Sequence, residues 1–407
     1  MKSNWSKYLG PGPLIAAAFI GPGTVTVCTL AGVNFGYDLL WALLLSIITT
    51  IILQESAARI GLVTQVGLAS NISKTIQKAG LRYFSISLVL LAIVLGNAAY
   101  EAGNISGGSL GAEIFFDLGS ISLYKLEISL MNLLIGFIAL LLLLSGSYKA
   151  ITKILTLLVI LMSLAFLLSA FMVKPVILDL LKGMVPVINP KNIITIVALI
   201  GTTVVPYNLF LHSSLVTEKW KNIQDLKYVR FDTMLAVILG GIVSMAIVIT
   251  GAAGSAMDVS NATDLAKGLE PLMGAASKYF IAFGLFAAGI TSAVTAPLAG
   301  SLVITGCFGW STKINGKPMR WSIVLILGLG LIFASFGIRP VQLITIAQLA
   351  NGVLLPLLSG YVIWLVNKKS LMGEHRNSRL LNLLSVVVWL ITLLLGALSV
   401  MKVFGII

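Results

Sequence analysis

The sequence predicts an all-α integral membrane protein in which eleven helices cross the bilayer. Of its 407 residues, 58% are hydrophobic and 10% are charged, whereas a soluble domain has roughly 45–50% and about 25%. Apolar runs long enough for a spanning helix of ~20 residues recur from Pro13 to the C-terminus. Two of these runs are interrupted by proline near their centres, and this second observation shapes the rest of the fold prediction.

Each predicted span starts where a long apolar run begins. The starts lie near Pro13, Leu39, Phe84, Leu130, Ile154, Ile194, Met234, Tyr279, Ile323, Ile344 and Leu381. The first run lacks a convincing signal-peptidase site, so we expect it to remain as a span. Because the polar connections are too short for a second domain, residues 1–407 are predicted to form a single transmembrane domain.

The net charge of +13 is distributed unevenly among the loops. Most Lys and Arg residues fall in alternate loops, which are the inner loops if the N-terminus is cytoplasmic. The positive-inside rule therefore predicts a multi-pass protein of the cell inner (plasma) membrane with the N-terminus in the cytoplasm and the C-terminus outside. The expected partners are the lipid bilayer and a small ion or solute, without nucleic acid, and we expect a monomer.

Catalytic and cofactor-binding patterns are not visible in the sequence, so we expect neither enzymatic activity nor a cofactor. Cys28 and Cys307 lie far apart and lack the paired spacing of a disulfide or zinc site. Both are predicted to be packing residues.

Two spans, five apart in order, carry the proline interruptions. They read Gly21-Pro22-Gly23-Thr24 in span 1 and Val204-Val205-Pro206-Tyr207-Asn208 in span 6. Proline removes a backbone donor and clashes with the preceding turn, and lipid cannot satisfy the polar groups that this frees. A packing kink explains either break alone. Breaks at matching positions of two halves instead indicate a substrate site between them.

Around these breaks the sequence resembles the Nramp (natural resistance-associated macrophage protein) family of divalent-metal transporters. The likeness includes Gly10-Pro11, the first break, Gly36–Trp41 and Ile200–Ser214, and it continues over nearly the whole chain. The resemblance implies a LeuT-like 5+5 inverted repeat plus an eleventh transmembrane helix, with helices 1 and 6 broken. Residues 12–172 would form the first repeat, 193–366 the second and 379–402 the extra span. Alternating access, and often proton coupling, are further implications.

The chain departs from the family pattern where the metal would bind. Gly21 and Thr24 stand where the family has the Asp and Asn of Asp-Pro-Gly-Asn. Val205 and Tyr207 stand where it has the Met and His of Met-Pro-His. The usual transition-metal ligands are therefore missing, and no metal ligands are assigned from the sequence.

Three residues are candidates for a proton-relay or electrostatic role: Glu101, Asn104 and His212. Glu101 and Asn104 take the positions of the family's Asp-x-x-Glu pair, so one acid is kept and the other becomes an amide. Ionisable groups at such depth are usually functional or paired. The alternative for Glu101 is a protonated structural carboxyl, and for His212 it is a hydrogen-bonded structural imidazole.

The remaining candidates bind substrate by supplying oxygen atoms or by lining the breaks. They are Gly21, Thr24, Thr202, Thr203, Val205, Tyr207, Asn208, Gln348 and Asn351. Two substrate classes stay open. An oxygen-only set in a wet cavity suits a hard, partly hydrated divalent cation, Mg²⁺ or Mn²⁺. The positive N-terminal ends of the half-helices instead suit a neutral or anionic small solute, without metal transport.

Overall fold

The computed structural model describes residues 8, 10–123, 126–253 and 277–403. Within them, eleven helical segments follow the predicted order. They are span 1 (Gly12–Phe19 and Pro22–Phe35), span 2 (Leu40–Thr64), span 3 (Ala79–Ala112), span 4 (Leu130–Leu144), span 5 (Tyr148–Val173), span 6 (Ile193–Thr203 and Pro206–Lys219), span 7 (Leu226–Ala252), span 8 (Ser277–Phe308), span 9 (Lys317–Ala334), span 10 (Pro340–Asn367) and span 11 (Arg379–Val403). The predicted starts fall inside these segments except Leu39, which lies just before span 2.

By length and apolar character, eight of these helices can cross a membrane, and span 1 is a ninth when its two halves are counted together. Spans 4 and 10 contribute shorter apolar helices, Leu130–Leu144 and Gly352–Asn367. Short helices connect some of the spans, at Leu68–Thr75, Ile177–Lys182 and Lys369–Met372.

An antiparallel hairpin, which sequence analysis did not predict, joins spans 3 and 4. Its strands are β1 (Ser120–Leu123) and β2 (Leu126–Ser129), with Ser120 opposite Ser129. Polar and apolar residues alternate along both strands, as expected for a strand with one covered face. Each strand has only 4 residues, and so short an alternating pattern does not distinguish a strand from a loop in the sequence.

Spans 6 and 8 form the centre of the bundle. In their most apolar stretches 83% and 89% of residues are buried, against 33% in spans 5 and 11. Span 8 packs along span 3 and also contacts the first half of span 1 and the second half of span 6. Both helix breaks therefore lie beside span 8, which has the largest buried share of the eight candidate spans among the described residues.

Glycines recur at every fourth position of span 3, a spacing that predicts close helix packing on one face. Each of them contacts a different helix. The contacts are Gly103 with Ile344 of span 10, Gly107 with Pro22 of span 1, and Gly111 with the backbone of span 8 at Ala282 and Phe286. Gly107 therefore provides the space into which the proline of the first break fits.

Replacing Gly107 with alanine is expected to lower the free energy of unfolding by about 1–3 kcal/mol, the usual cost of overpacking. The added methyl carbon would lie 2.3 Å from Pro22 Cβ. Gly103→Ala is the matched control, because a methyl at that position meets its nearest neighbour at an ordinary 3.4 Å. Thermal unfolding of the purified variants in detergent measures the difference. Equal melting temperatures would contradict the close packing of Pro22 against span 3.

Candidate functional site

The first break divides span 1 into two halves that meet at an angle of 52°. Pro22 stands in the first turn of the second half, where its missing N–H costs nothing. Gly21 is extended, with φ −98° and ψ 179°, as a residue before proline prefers. Its carbonyl accepts a hydrogen bond from the Val25 N–H at 3.1 Å. The helix thus ends at Phe19 and resumes at Pro22 in a new direction.

The carbonyls at the end of the first half have donors even though the helix stops there. The last four carbonyls of a helix have no partner within it, and here they are served by the following backbone or by side chains. The four pairs are Ala16 with Ile20 N at 2.9 Å, Ala17 with Ser292 Oγ at 3.5 Å, Ala18 with Tyr207 Oη at 3.4 Å, and Phe19 with Thr24 Oγ1 at 2.8 Å. The Ile15 carbonyl, one position earlier, also accepts a hydrogen bond from Asn208 Nδ2 at 3.3 Å. Spans 6 and 8 therefore complete the first break.

The second break separates the two halves of span 6 at Val204 and Val205. It is milder than the first, because the two halves still form a single 27-residue span. Val205 is extended and buried and offers no side-chain donor or acceptor. The Thr203 hydroxyl faces its own helix, lying 3.0 Å from the Leu199 carbonyl oxygen and 3.1 Å from that of Ile200. In this conformation, neither Val205 nor Thr203 presents a free side-chain oxygen that could bind a substrate.

The two breaks touch through a pair of threonines. The hydroxyl oxygens of Thr24 and Thr202 are 3.0 Å apart, and both residues are fully buried. Because the single hydroxyl proton of Thr24 goes to the Phe19 carbonyl, Thr202 is the donor of the pair. At this point the two breaks contact each other through oxygen atoms.

Glu101 and Asn104 of span 3 lie beside the first break. The Asn104 amide donates to Glu101 Oε2 at 3.3 Å, and its own oxygen is 3.8 Å from where a Cβ on Gly21 would stand. Glu101 is fully buried, with its side-chain carbons packed on Gly330 of span 9. Within the described part of the chain, Glu101 Oε1 has no hydrogen-bond partner. The structure therefore brings a carboxyl group close to the break.

His212 belongs to a different cluster, between spans 2, 6 and 7. Its Nδ1 is 2.9 Å from Gln54 Oε1, and its Nε2 is 3.5 Å from the Thr233 hydroxyl. These are the contacts expected of the structural alternative. The relay role of His212 stays a prediction, and the structure does not place its ring at the break.

Gln348 and Asn351 lie in a stretch of span 10 whose side chains are outside the described residues. Their role in lining a cavity stays a prediction. Ile344, about one turn earlier, packs against Gly103 and approaches Gly107. This part of span 10 therefore runs beside the first break.

Ser292 and Tyr100 belong to the site but were not singled out from the sequence. Ser292 Oγ reaches the Ala17 carbonyl and would lie 2.6 Å from a Cβ on Gly21. Tyr100 packs edge-on against Tyr207, with ring centres 5.4 Å apart and planes at 70°. A polar Thr291-Ser292 pair in the middle of an apolar span was the available signal for the serine.

Asp232 of span 7 caps the beginning of span 1. One carboxylate oxygen accepts the Gly10 N–H at 3.0 Å, and the other accepts the Gly12 N–H at 2.8 Å. A carboxylate at a helix N-terminus also interacts favourably with the helix dipole. The first half of span 1 is thus held by side chains at both ends, at its start by span 7 and at the break by spans 6 and 8.

A cavity of about 380 Å³ with a partly polar lining lies at the ends of spans 2, 5, 6 and 8 that are predicted to face the cytoplasm. Gln65, Tyr148, Ser214, Glu218, Lys313 and Asn315 are among its lining residues. Ser214 follows Tyr207 by two helical turns, roughly 10 Å. The cavity therefore ends on the inner side of the second break.

Residues 12–402 match the family model described as natural resistance-associated macrophage protein-like, or Nramp. This chain belongs to the Nramp family. The divalent metal cation transporter MntH of Mycobacterium tuberculosis is 24% identical over 418 residues, which cover 99% of this chain and 92% of the relative. The crystal structure of the Eremococcus coleocola manganese transporter aligns with a TM-score of 0.79 and 20% identity over 99% of this chain and 88% of that chain.

A solved structure of MhsT in complex with L-phenylalanine also aligns, with a TM-score of 0.64 and 15% identity over 97% of this chain and 99% of that chain. At such identities the structural matches show the fold alone, and they confirm the predicted fold class, an all-α membrane protein of LeuT-like architecture. Membership of the Nramp family makes the chain a multi-pass membrane transporter and not an enzyme. The chain nevertheless lacks the usual transition-metal ligands of the family at Gly21, Thr24, Val205 and Tyr207.

Proposed function

We propose that this Nramp-family chain is a secondary transporter that carries a hard, partly hydrated divalent cation, Mg²⁺ or Mn²⁺, by alternating access. The observation that carries the proposal is the direct contact between the two breaks through the Thr24 and Thr202 hydroxyls, 3.0 Å apart in the buried centre of the bundle. MntH relatives, which are named as divalent metal cation transporters, match over almost the whole chain. A cation is therefore the first substrate class to test.

The chemistry of the breaks favours a hard cation over a soft one. The side chains that meet there carry hydroxyl and amide groups, namely Thr24, Thr202, Asn208, Ser292 and Tyr207. Mg²⁺ and Mn²⁺ prefer oxygen ligands, whereas nitrogen and sulfur ligands select softer transition metals. Within the described residues, no group of three or more His, Cys, Asp or Glu side chains is arranged to hold a metal ion. A cation that keeps part of its water shell needs fewer protein ligands.

Glu101 supplies the negative charge in this proposal. It contacts Asn104, which lies beside Gly21, so its carboxyl group is one residue removed from the first break. An uncompensated charge in the membrane interior has a high free-energy cost. Attraction between the Glu101 carboxylate and the cation lowers this cost for each of the two charges.

Alternating access also assigns roles to the two predicted repeats and to the cavity lined by Ser214 and Glu218. Residues 12–172 and 193–366 would be the inverted repeats that move relative to each other, and residues 379–402 the added span. With the N-terminus in the cytoplasm, the cavity near Ser214 and Glu218 is the release path on the inner side. The cell inner membrane is the proposed location.

Uptake into proteoliposomes tests the function, with radiolabelled Mn²⁺ and with Mg²⁺ followed by an entrapped indicator. The wild type is expected to take up both ions, and Thr24→Val to lower uptake about fivefold or more, because the variant loses a hydrogen-bonding oxygen worth about 1 kcal/mol.

Thr26→Val is the matched control for that experiment. Thr26 lies on the same half-helix, and its buried hydroxyl has no hydrogen-bond partner within the described residues. Uptake by this variant should stay within about twofold of wild type, since no such bond is lost. Equal activity of Thr24→Val and wild type would contradict the assignment of the hydroxyl.

A neutral or anionic small solute is the second candidate, favoured by the uncharged hydroxyls and amides at the breaks. The half-helix that starts at Pro22 presents its positive end there. The same proteoliposomes distinguish the two candidates. Folded protein that takes up neither Mn²⁺ nor Mg²⁺, yet accumulates a radiolabelled amino acid, would replace the cation proposal with this one.

A further inference from the structure

A second cavity, widely open and of about 500 Å³, lies where spans 10 and 11 meet at the ends that are predicted to face the cytoplasm. It is lined by Ile363, Trp364, Asn367, Lys368 and Asn382. The Asn367 amide donates to Asn382 Oδ1 at 2.8 Å, so a hydrogen bond joins the two spans at this cavity. This cavity is remote in sequence from both helix breaks and plays no part in the transport proposal.

Lys368 places a positive charge at this cavity. Its ammonium group lies 5.0 Å from the centre of the Trp364 ring and 3.3 Å from the Thr75 carbonyl oxygen. Lysine has three N–H donors, so the contact with Thr75 leaves donors for a ligand. The bond to Thr75 at the end of helix Leu68–Thr75 also fixes where the charge stands.

The connection between spans 10 and 11 adds further positive charge. It carries Lys368, Lys369, Arg376 and Arg379 against one acid, Glu374. Arg379 and Lys369 are exposed. Clusters of this kind directly beside a membrane span attract anionic headgroups, at about 1 kcal/mol for each Lys or Arg.

An apolar surface continues from the cavity along span 11 toward the bilayer centre. Val386 and Leu393 follow Asn382 by four and eleven residues and so share its helix face, and each is 39% exposed. Trp364, which lines the cavity from span 10, is also 39% exposed, and tryptophan at this depth is typical of the membrane interface. A molecule with an anionic head and acyl chains fits both parts, whereas a free phosphate ion would use only the polar part.

We propose that the cavity between spans 10 and 11 binds the headgroup of an anionic phospholipid of the inner leaflet, with Lys368 contacting the phosphate and the acyl chains lying on Val386 and Leu393. The bound lipid would tie the last helix of the second repeat to the added eleventh span. This proposal does not depend on which substrate is transported.

Native mass spectrometry of the full-length protein in detergent tests the site. Palmitoyl-oleoyl phosphatidylglycerol is added, and phosphatidylcholine with the same chains serves as the uncharged reference. The wild type should retain phosphatidylglycerol preferentially, and Lys368→Gln should lower its occupancy about fivefold, the change expected from one lysine near the membrane surface. Asn382→Leu, which replaces the amide at the cavity with an apolar side chain and leaves Lys368 in place, should lower it similarly.

Lys369→Gln is the matched control, because Lys369 is the exposed neighbour and does not line the cavity. Its phosphatidylglycerol occupancy should fall clearly less than that of Lys368→Gln, because only general charge attraction is lost and not the contact at the cavity. Equal losses in Lys368→Gln and Lys369→Gln would overturn the proposal in favour of general charge attraction. No preference for phosphatidylglycerol in the wild type would also overturn it, as would displacement of the lipid by inorganic phosphate, since the ligand would then be the free ion.

Discussion

Replacing Glu101 with glutamine is expected to reduce divalent-cation uptake by about tenfold or more, because a charged hydrogen-bonding group is worth about 1.5–3 kcal/mol. The carboxyl group is fully buried beside the first break and bonds Asn104 at 3.3 Å. Glutamine keeps the shape and can still accept the Asn104 bond, so the protein should remain folded. Proteoliposome uptake of Mn²⁺ measures the loss.

Glu113→Gln is the control for this prediction, since Glu113 follows the last residue of span 3 and lies outside the membrane-spanning segment. Burial and the neighbouring Asp117 carboxylate raise the pKa of Glu113 above its ordinary value. Its substitution should leave uptake within about twofold of wild type, the change expected away from the site. Unchanged uptake in Glu101→Gln at every pH tested would refute a functional role for the buried carboxyl.

Replacing Asp232 with alanine is expected to lower the free energy of unfolding by about 3–6 kcal/mol, from two lost hydrogen bonds to a charged group at about 1.5–3 kcal/mol each. The carboxylate accepts the N–H groups of Gly10 and Gly12, and in its absence both would lie beside span 7 without their acceptor. Because the start of span 1 would then be released, we also expect faster proteolysis of the N-terminal segment. Thermal unfolding in detergent and limited proteolysis measure the two effects.

Asp225→Ala provides the comparison for Asp232→Ala. Asp225 precedes span 7 and makes no side-chain capping bond to it, so its removal should change the free energy of unfolding by less than about 0.5 kcal/mol. Similar melting temperatures for the two variants would show that Asp232 does not anchor span 1.

The sequence was sufficient to locate the spans and both breaks, because the relevant physics is local. An apolar run of ~20 residues identifies a span. Pro22 and Pro206 each stand at the start of a new half-helix, a position that proline favours, whereas Pro297 and Pro356 lie inside unbroken helices. Thr24 and Asn208 were singled out because they place a hydroxyl and an amide near the breaks, and Asn104 because it takes a position of the family's acidic pair. All three lie at the first break or donate to its carbonyls.

The partners of the freed backbone groups could not be predicted, since they come from residues far away in sequence. Ser292 follows Ala17 by 275 residues and Asp232 follows Gly12 by 220, and no periodic pattern connects such pairs. His212 lies close to the second break in sequence, and this position predicts a site residue. In the structure its ring instead contacts Gln54 of span 2.

The position of a bound ion is the most direct test of the central claim, that the two helix breaks together form the cation site. Crystals of the protein grown with Mn²⁺ would be measured at an energy where manganese scatters anomalously. We predict an anomalous peak between Gly21–Thr24 and Thr202–Asn208, within direct or single-water reach of their oxygen atoms, that disappears in Thr24→Val. A peak elsewhere in the protein, with none between the breaks, in a preparation that transports Mn²⁺ would contradict the claim.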